Sequence, residues 1–267
     1  MALYSFSKIL TRRILLRCFS SGDGCKITTA GIIVVGDEIL KGDVPDTNST
    51  YLAVELHKLG LKLKKISVIG DEVKEVSEEV KNFSNSYDYV LTSGGIGPTH
   101  DDITYEAVAM AFDEPLYLHP ELREICLKFY NTTDIPKSAK LTFNAGIVGI
   151  KMTYPNVSVK NVYMFPGIPE LLVKSFNILK DALFKSNNKF YSKCIYFNLT
   201  EDKIVEVLYV LVKEYPDVQF GSYPKFFHRL YKVKVTIESS NEESMKKAYN
   251  QLLTMMPKQY IVDAEDV

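Results

Sequence analysis

The chain has 267 residues, 46% hydrophobic and 24% charged, enough for one large or two modest domains with proper cores. A formal net charge of −1 excludes a global field that would recruit nucleic acid or an anionic membrane. The four cysteines (Cys18, Cys25, Cys126, Cys194) show neither CxxC spacing nor histidines at ligand intervals, which argues against a disulfide scaffold and a structural zinc site.

Met1 to Gly22 contains no acid, while Lys8, Arg12, Arg13 and Arg17 are spread among Leu, Ile, Phe and Ser. On a helix Phe6, Ile9, Leu10, Arg13 and Leu16 would form apolar and basic faces, the composition of a mitochondrial transit peptide. Arg17-Cys18-Phe19-Ser20 reads as a processing site, so residues 1–24 are expected to be a removable matrix address. No apolar run reaches the roughly 18 residues of a membrane span, and neither a membrane nor a nucleic acid is an expected partner.

Alternating strands and helices follow. Thr28 to Val35 (TTAGIIVV) is continuously apolar, as a strand buried on both faces of a parallel sheet would be. After Gly36-Asp37-Glu38 and a polar loop, a helix begins at Asp46 to Ser49, buries Leu52, Leu56 and Leu59, and ends at Gly60. Leu61 to Ile69 is a second strand, and Gly70-Asp71 turns the chain into a helix carrying Val73, Val76, Val80 and Phe83 as one stripe. Tyr87 to Thr92 is the third strand. Ser93 to Thr99 is a loop leading to a helix over Asp102 to Phe112, with another near Pro120 to Tyr130 before a less regular stretch. Asn161 to Phe165 is a further buried strand, and Pro166-Gly167 opens a helix to about Phe184. This order predicts an α/β unit over 26–185 with a mostly parallel sheet covered on both faces.

Lys185 to Lys189 (KSNNK) is a polar break. Strands over Ser192 to Phe197, Val218 to Tyr223, Leu230 to Ile237 and Tyr260 to Val262 alternate with helices over Glu201 to Glu214 and Glu242 to Leu253. The β-α-β-β-α-β order predicts a small α+β domain over 190–267. Its basic stretch, Lys225 to Lys234 with interleaved aromatics, reads as an amphipathic strand with cationic side chains in water.

The strongest local motif is Ser93-Gly94-Gly95-Ile96-Gly97-Pro98-Thr99, then His100-Asp101-Asp102. Glycines after a buried strand let the backbone turn tightly and approach a ligand, and the next helix presents free N–H groups and its positive end to a phosphate. The spacing fits neither the dinucleotide fingerprint nor the Walker loop. A tight turn without ligand remains open for the loop alone. Thr99 and Asp102 have the spacing of a helix-capping pair, so Asp102 has a purely local reading too. Asp101, Asp102 and Glu106 would repel phosphate unless a divalent cation lay between, and magnesium-like ions take one or two carboxylates plus phosphate oxygens. Gly36-Asp37-Glu38, Asp46-Thr47-Asn48 and Pro166-Gly167-Ile168-Pro169-Glu170 should open onto the same crevice, outside the carboxyl ends of the strands.

TAGIIVVGDEILKGDVPDTNSTYLAVELHKLG, LTSGGIGPTHDDITYEAVAMAF and NVYMFPGIPELL closely resemble the molybdopterin-binding domain of the CinA proteins, and still more that of eukaryotic FAD synthase. The match runs from about Lys26 to Phe184, and Gly221 to Pro224 followed by YKVKVTI resembles the small domain after it. The resemblance implies the three-layer molybdopterin-binding fold, and binding of a pterin or nucleotide. Metal-dependent cleavage of FAD or ADP-ribose with release of AMP is the leading expectation. A non-catalytic nucleotide, flavin or pterin module is the alternative, and molybdenum-cofactor assembly a third.

The residues and the resemblance together point to Asp101, Asp102 and Glu106 for catalysis and to Asp37, Glu38, Asp101 and Asp102 for a divalent metal, with K+ as a further candidate ion. For substrate they point to Gly36, Asp46, Asn48, Ser93, Gly94, Gly95, Gly97, Pro98, Thr99, Pro166, Gly167, Pro169 and Glu170. Related domains self-associate, so a homo-oligomer is expected. The chain ends where the synthase would continue, so FAD synthesis is not expected. Tyr130 to Pro136 is shorter than in relatives at the point where a polar or basic residue faces the ligand, which leaves Lys137 or Lys140 as substitutes.

Overall fold

A computed structural model describes residues 27–97, 99–118, 123–124, 127–128, 140–142, 145–148 and 156–262. The amino-terminal address, Pro98, most of the helix placed near Pro120 to Tyr130 and the 130–136 segment with Lys137 lie outside the described residues, as does the side chain of Lys140. The chain divides into two compact units at Asn188/Lys189. Among the described residues no helix is long and apolar enough to cross a membrane.

The first unit is organised by a six-stranded sheet of β1 (Thr29–Val35), β2 (Lys62–Ile69), β3 (Tyr89–Ser93), β6 (Ala145–Val148), β7 (Asn156–Val159) and β8 (Val162–Phe165). The spatial order is β2-β1-β3-β8-β7-β6. The first four strands run parallel, β7 returns antiparallel to β8, and β6 pairs antiparallel with β7 at the edge. A separate two-stranded ribbon pairs β4 (Leu116–Leu118) with β5 (Lys140–Thr142).

Helices cover both faces, as the uninterrupted burial of β1 demands. Side chains alternate across a strand, so Ile33 and Val35 face one way and Ala30, Ile32 and Val34 the other. On the first side Val76, Val80 and Phe83 of α3 (Val73–Ser86) and Val108 and Ala111 of α4 (Thr104–Ala111) complete a core with Ile33 and Val90. On the second, Leu52 and Leu56 of α2 (Asn48–Lys58) and Leu172 and Phe176 of α5 (Pro169–Leu183) pack with Ile32, Leu91 and Phe165. The result is the expected three-layer α/β arrangement.

Several boundaries differ from the sequence reading. Asp37 and Glu38 form the first turn of a five-residue helix, α1 (Asp37–Lys41), and not a loop. The helix after the glycine loop starts at Thr104, because Asp102 is engaged in the loop itself. The stretch read as irregular contributes β5, β6 and β7.

The second unit has the order β9 (Tyr191–Phe197), α6 (Asp202–Glu214), β10 (Gln219–Pro224), β11 (Val233–Ser239), α7 (Glu242–Met255), β12 (Ile261–Val262). Its sheet, β10-β11-β9-β12, is antiparallel throughout. Alternate residues of β11 are buried, the pattern of a sheet with one covered face. Phe197, Val235, Ile204, Leu211, Ala248 and Leu252 lie in its core. The strand expected from Leu230 begins only at Val233. Residues 225–232 form the tip of the β10–β11 hairpin, closed by Lys225 N–H donating to Lys232 C=O at 2.7 Å.

Candidate functional site

The parallel strands β2, β1, β3 and β8 are neighbours, so the loops leaving their carboxyl ends converge on one edge of the sheet. There they enclose a cavity of about 510 Å³. The β1 end supplies Val35, Gly36 and Glu38, and the β2 end supplies Asp71. The glycine loop supplies Gly94, Gly95, Ile96, Gly97, Thr99, Asp101 and Asp102, and the β8 end supplies Pro166, Gly167, Ile168 and Leu171.

Close backbone approach explains the glycines. Gly94 has φ 102°, and a Cβ there would lie 2.1 Å from the Val35 carbonyl oxygen. A Cβ on Gly167 would stand 3.2 Å from the Gly94 Cα, so two loop backbones touch where neither carries a side chain. Asn48 braces the same junction from behind. Its Nδ2 donates to Ser93 Oγ at 2.9 Å and to the Gly167 carbonyl at 2.6 Å, and its Oδ1 is buried with no hydrogen-bond partner.

The loop satisfies itself more than the sequence suggested. Gly94 N–H donates to the Phe165 carbonyl at 3.2 Å. Gly97 N–H donates to Asp102 Oδ1 at 2.6 Å, and Thr99 N–H and hydroxyl both donate to Asp102 Oδ2. Asp102 therefore acts as a staple across the turn. The Thr99–Asp102 spacing read as a helix-capping pair closes the loop instead, because the helix begins only at Thr104 and has no side-chain cap. The Gly94 and Gly97 amides thus already have acceptors within the chain.

Other assigned residues also move to structural roles. Asp46 accepts from Ser49 N–H at 2.9 Å ahead of α2 and does not line the cavity. Asn48 and Ser93 support the wall without lining it. Glu106 is exposed on the first turn of α4, and Pro169 and Glu170 are exposed on the first turn of α5, all outside the lining. Asp37 is turned away: it pairs with Lys41 Nζ at 2.9 Å and accepts from Asp71 N–H at 3.3 Å.

Asp71 is the site residue that sequence reasoning passed over. Its Oδ2 accepts from Asp37 N–H at 3.1 Å. Burial pushes its carboxyl above the usual aspartate range, and the neighbouring charges of Asp37, Glu38 and Asp101 add to that, against the Asp37 hydrogen bond. Asp37 goes the other way, lowered by the hydrogen bond from Lys41 and then by the one from Asp71. The signal for Asp71 was present: Gly70-Asp71 repeats, at the end of β2, the Gly-acid step of Gly36-Asp37 at the end of β1. Among the described residues the cavity lining has four carboxylates (Glu38, Asp71, Asp101, Asp102) and no Lys, Arg or His.

A family described as a probable molybdopterin binding domain matches residues 31–185. The chain belongs to this molybdopterin-binding domain family. A second family, the middle domain of FAD synthase, matches residues 189–265. A probable FAD synthase of Caenorhabditis briggsae is 39% identical over 248 residues, covering 82% of this chain and 47% of its own. The chain thus spans about half the length of that relative. A protein of Archaeoglobus fulgidus is 35% identical over 227 residues, covering 82% of this chain and 94% of its own. The crystal structure of CinA from Thermoplasma acidophilum, a protein of unknown function, superposes with TM-score 0.54 at 25% identity, covering 59% of this chain and 98% of that one. Both units of the chain therefore have relatives, and the cavity lies wholly in the first.

Proposed function

We propose that the cavity binds a nucleotide diphosphate together with a divalent cation and hydrolyses it, FAD to FMN and AMP or ADP-ribose to ribose phosphate and AMP. The observation that carries this is the concentration of carboxylates around Asp71, in a lining that holds no basic side chain among the described residues. Such a lining repels phosphate until a cation enters. Among the described residues no three His, Cys, Asp or Glu side chains are grouped closely enough to hold a metal alone. That fits an ion that takes one or two carboxylates and completes its shell with substrate oxygens and water. Glu38 and Asp101 line the cavity beside Asp71 and would supply the one or two carboxylates that such an ion takes.

When bound, the ion would neutralise charge developing on the phosphates and lower the pKa of an attacking water. The protein contributes the rest. Asp71 holds a proton more readily than an ordinary aspartate, the property wanted in a group that accepts the proton of water. Gly94, Gly167 and Pro166 keep the wall narrow, and Ile168 and Leu171 offer an apolar surface for a flavin or adenine ring.

The test is release of AMP from FAD, ADP-ribose, NAD and CoA with Mg²⁺, Mn²⁺ or Co²⁺, with and without K+. Asp71→Asn should abolish metal-dependent turnover while leaving the fold intact. Pure protein that releases no AMP under any of these conditions would remove the proposal. A second reading, a binding module without chemistry, draws support from Asp102 and Glu106: one is committed to the loop and the other stands outside the cavity. Thermal stabilisation by nucleotide and metal without product would select it. Mitochondrial import and self-association belong to the same proposal, tested by the location of a fluorescent fusion to residues 1–24 and by the solution mass of the purified chain.

A further inference from the structure

We propose that the tip of the β10–β11 hairpin is a contact site for an anionic lipid surface, with Phe226 and Phe227 entering the interface and Lys225, Arg229 and Lys232 meeting the headgroups. The observation is the combination of exposure and charge. Phe226 is 82% exposed and Phe227 fully exposed, with Tyr223 and Leu230 also open beside them. Large apolar side chains scattered singly on a surface need no explanation, but four within eight residues at one turn do.

The tip is preformed. His228 Nδ1 accepts from the Leu230 and Tyr231 amides, each at 3.4 Å, and its ring lies 4.0 Å from the buried Tyr231, which packs 4.8 Å from Tyr196. The base of the turn is thereby tied to the sheet, while the two phenylalanines are left projecting.

Charge complementarity selects the partner. From Val218 to Ile237 the sequence contains no acid. Lys225 and Lys232 stand opposite each other across the hairpin, joined by the 2.7 Å backbone bond, and like charges so placed are unfavourable on their own. Neither they nor Arg229 make an ion pair among the described residues. A dense anionic surface relieves that repulsion, and aromatic rings at the level of headgroups are the usual companions of such cations. A second copy meeting tip to tip would double the repulsion. Single-stranded nucleic acid would want aromatic platforms along a groove, whereas these rings crown a turn beside an aliphatic Leu230. The expectation of no membrane partner came from net charge and from the lack of a spanning segment; both average over a local tip.

The full chain should float with phosphatidylcholine vesicles containing one-third phosphatidylserine, less with phosphatidylcholine alone, and less as salt rises. Lys225→Gln/Arg229→Gln/Lys232→Gln should weaken binding about five-fold per cation removed, and Phe226→Ser/Phe227→Ser about ten-fold per ring. The protein has no tryptophan, so Phe227→Trp supplies a single reporter whose emission should shift to the blue on adding the anionic vesicles. Equal flotation with both vesicle types, no emission shift, or unchanged binding by the serine double variant overturns the proposal. So does a wild-type dimer, or binding of an oligonucleotide, that the serine variant abolishes while vesicles have no effect on either protein.

Discussion

Replacing Gly94 by alanine tests whether the cavity wall depends on two backbones meeting without a side chain. The perturbation has two parts. A φ of 102° is strained for any L-residue, costing about 1–2 kcal/mol. In addition the new Cβ would sit 2.1 Å from the Val35 carbonyl oxygen, which is backbone of a strand paired on both sides and cannot swing aside. Relief requires moving β1 or the loop, at a cost comparable to overpacking a core, about 1–3 kcal/mol. The sum, about 2–5 kcal/mol, is a large share of the stability of an ordinary domain. Gly42→Ala is the internal control: its φ is 77° but nothing lies within 4 Å of the Cβ position, so it should show the conformational cost alone. Urea unfolding followed by circular dichroism, resolving the transition of the first unit, measures both. Equal destabilisation by the two variants would show that the overlap at Val35 is relieved without cost, and the close-approach reasoning would be wrong.

Asn48→Ala should cost about 1–3 kcal/mol by leaving Ser93 Oγ and the Gly167 carbonyl without their donor; a loss below about 0.5 kcal/mol in the same unfolding assay would deny the brace. Asp71 holds its proton to higher pH in the folded chain than the ordinary value of 3.8. The stability linked to that proton is therefore complete below the unfolded value and is lost as pH rises through the folded one. Asp71→Asn should consequently raise the melting temperature near neutral pH and lose its advantage near pH 3, and an advantage that grows on acidification would contradict the sign. Glu55 behaves oppositely: its hydrogen bonds from Lys180 and then Lys58 hold it below the ordinary 4.5. Lys180→Met should cost about 1–3 kcal/mol at neutral pH, a penalty that fades as pH falls through the folded value of Glu55. A pH-independent penalty in unfolding titrations would assign the effect to packing instead.

Much of this was legible in the sequence because local and global signals agreed. The apolar run of β1, the stripe on α3 and Gly60 with φ 77° at the end of α2 each follow from periodicity or capping. The alternation of β11 likewise declared a sheet with one covered face. Legibility failed where a residue's role depended on its partner across space. Asp102 has the spacing of a site acid, yet the amides nearest to it claim its oxygens. Glu106 shares the same motif but leaves the cavity because a helix starting at Thr104 rotates it outward. Asp71 looked like an ordinary turn residue because its repeat of the Gly36-Asp37 step gains meaning only once β2 is placed beside β1. The strands β5 to β7 were missed because three or four residues are too short to display a period.

The order β2-β1-β3-β8 also works as a ruler. Adjacent strands stand about 4.8 Å apart, so the distance from the Asp71 end to the Gly167 end is about 14 Å, fixed by main-chain hydrogen bonds. Side-chain substitutions can change what the edge offers a molecule, but not this span. A molecule touching both ends must be about that long, and one half that length can engage the acids of β2 and β1 or the glycines of β3 and β8, but not both at once.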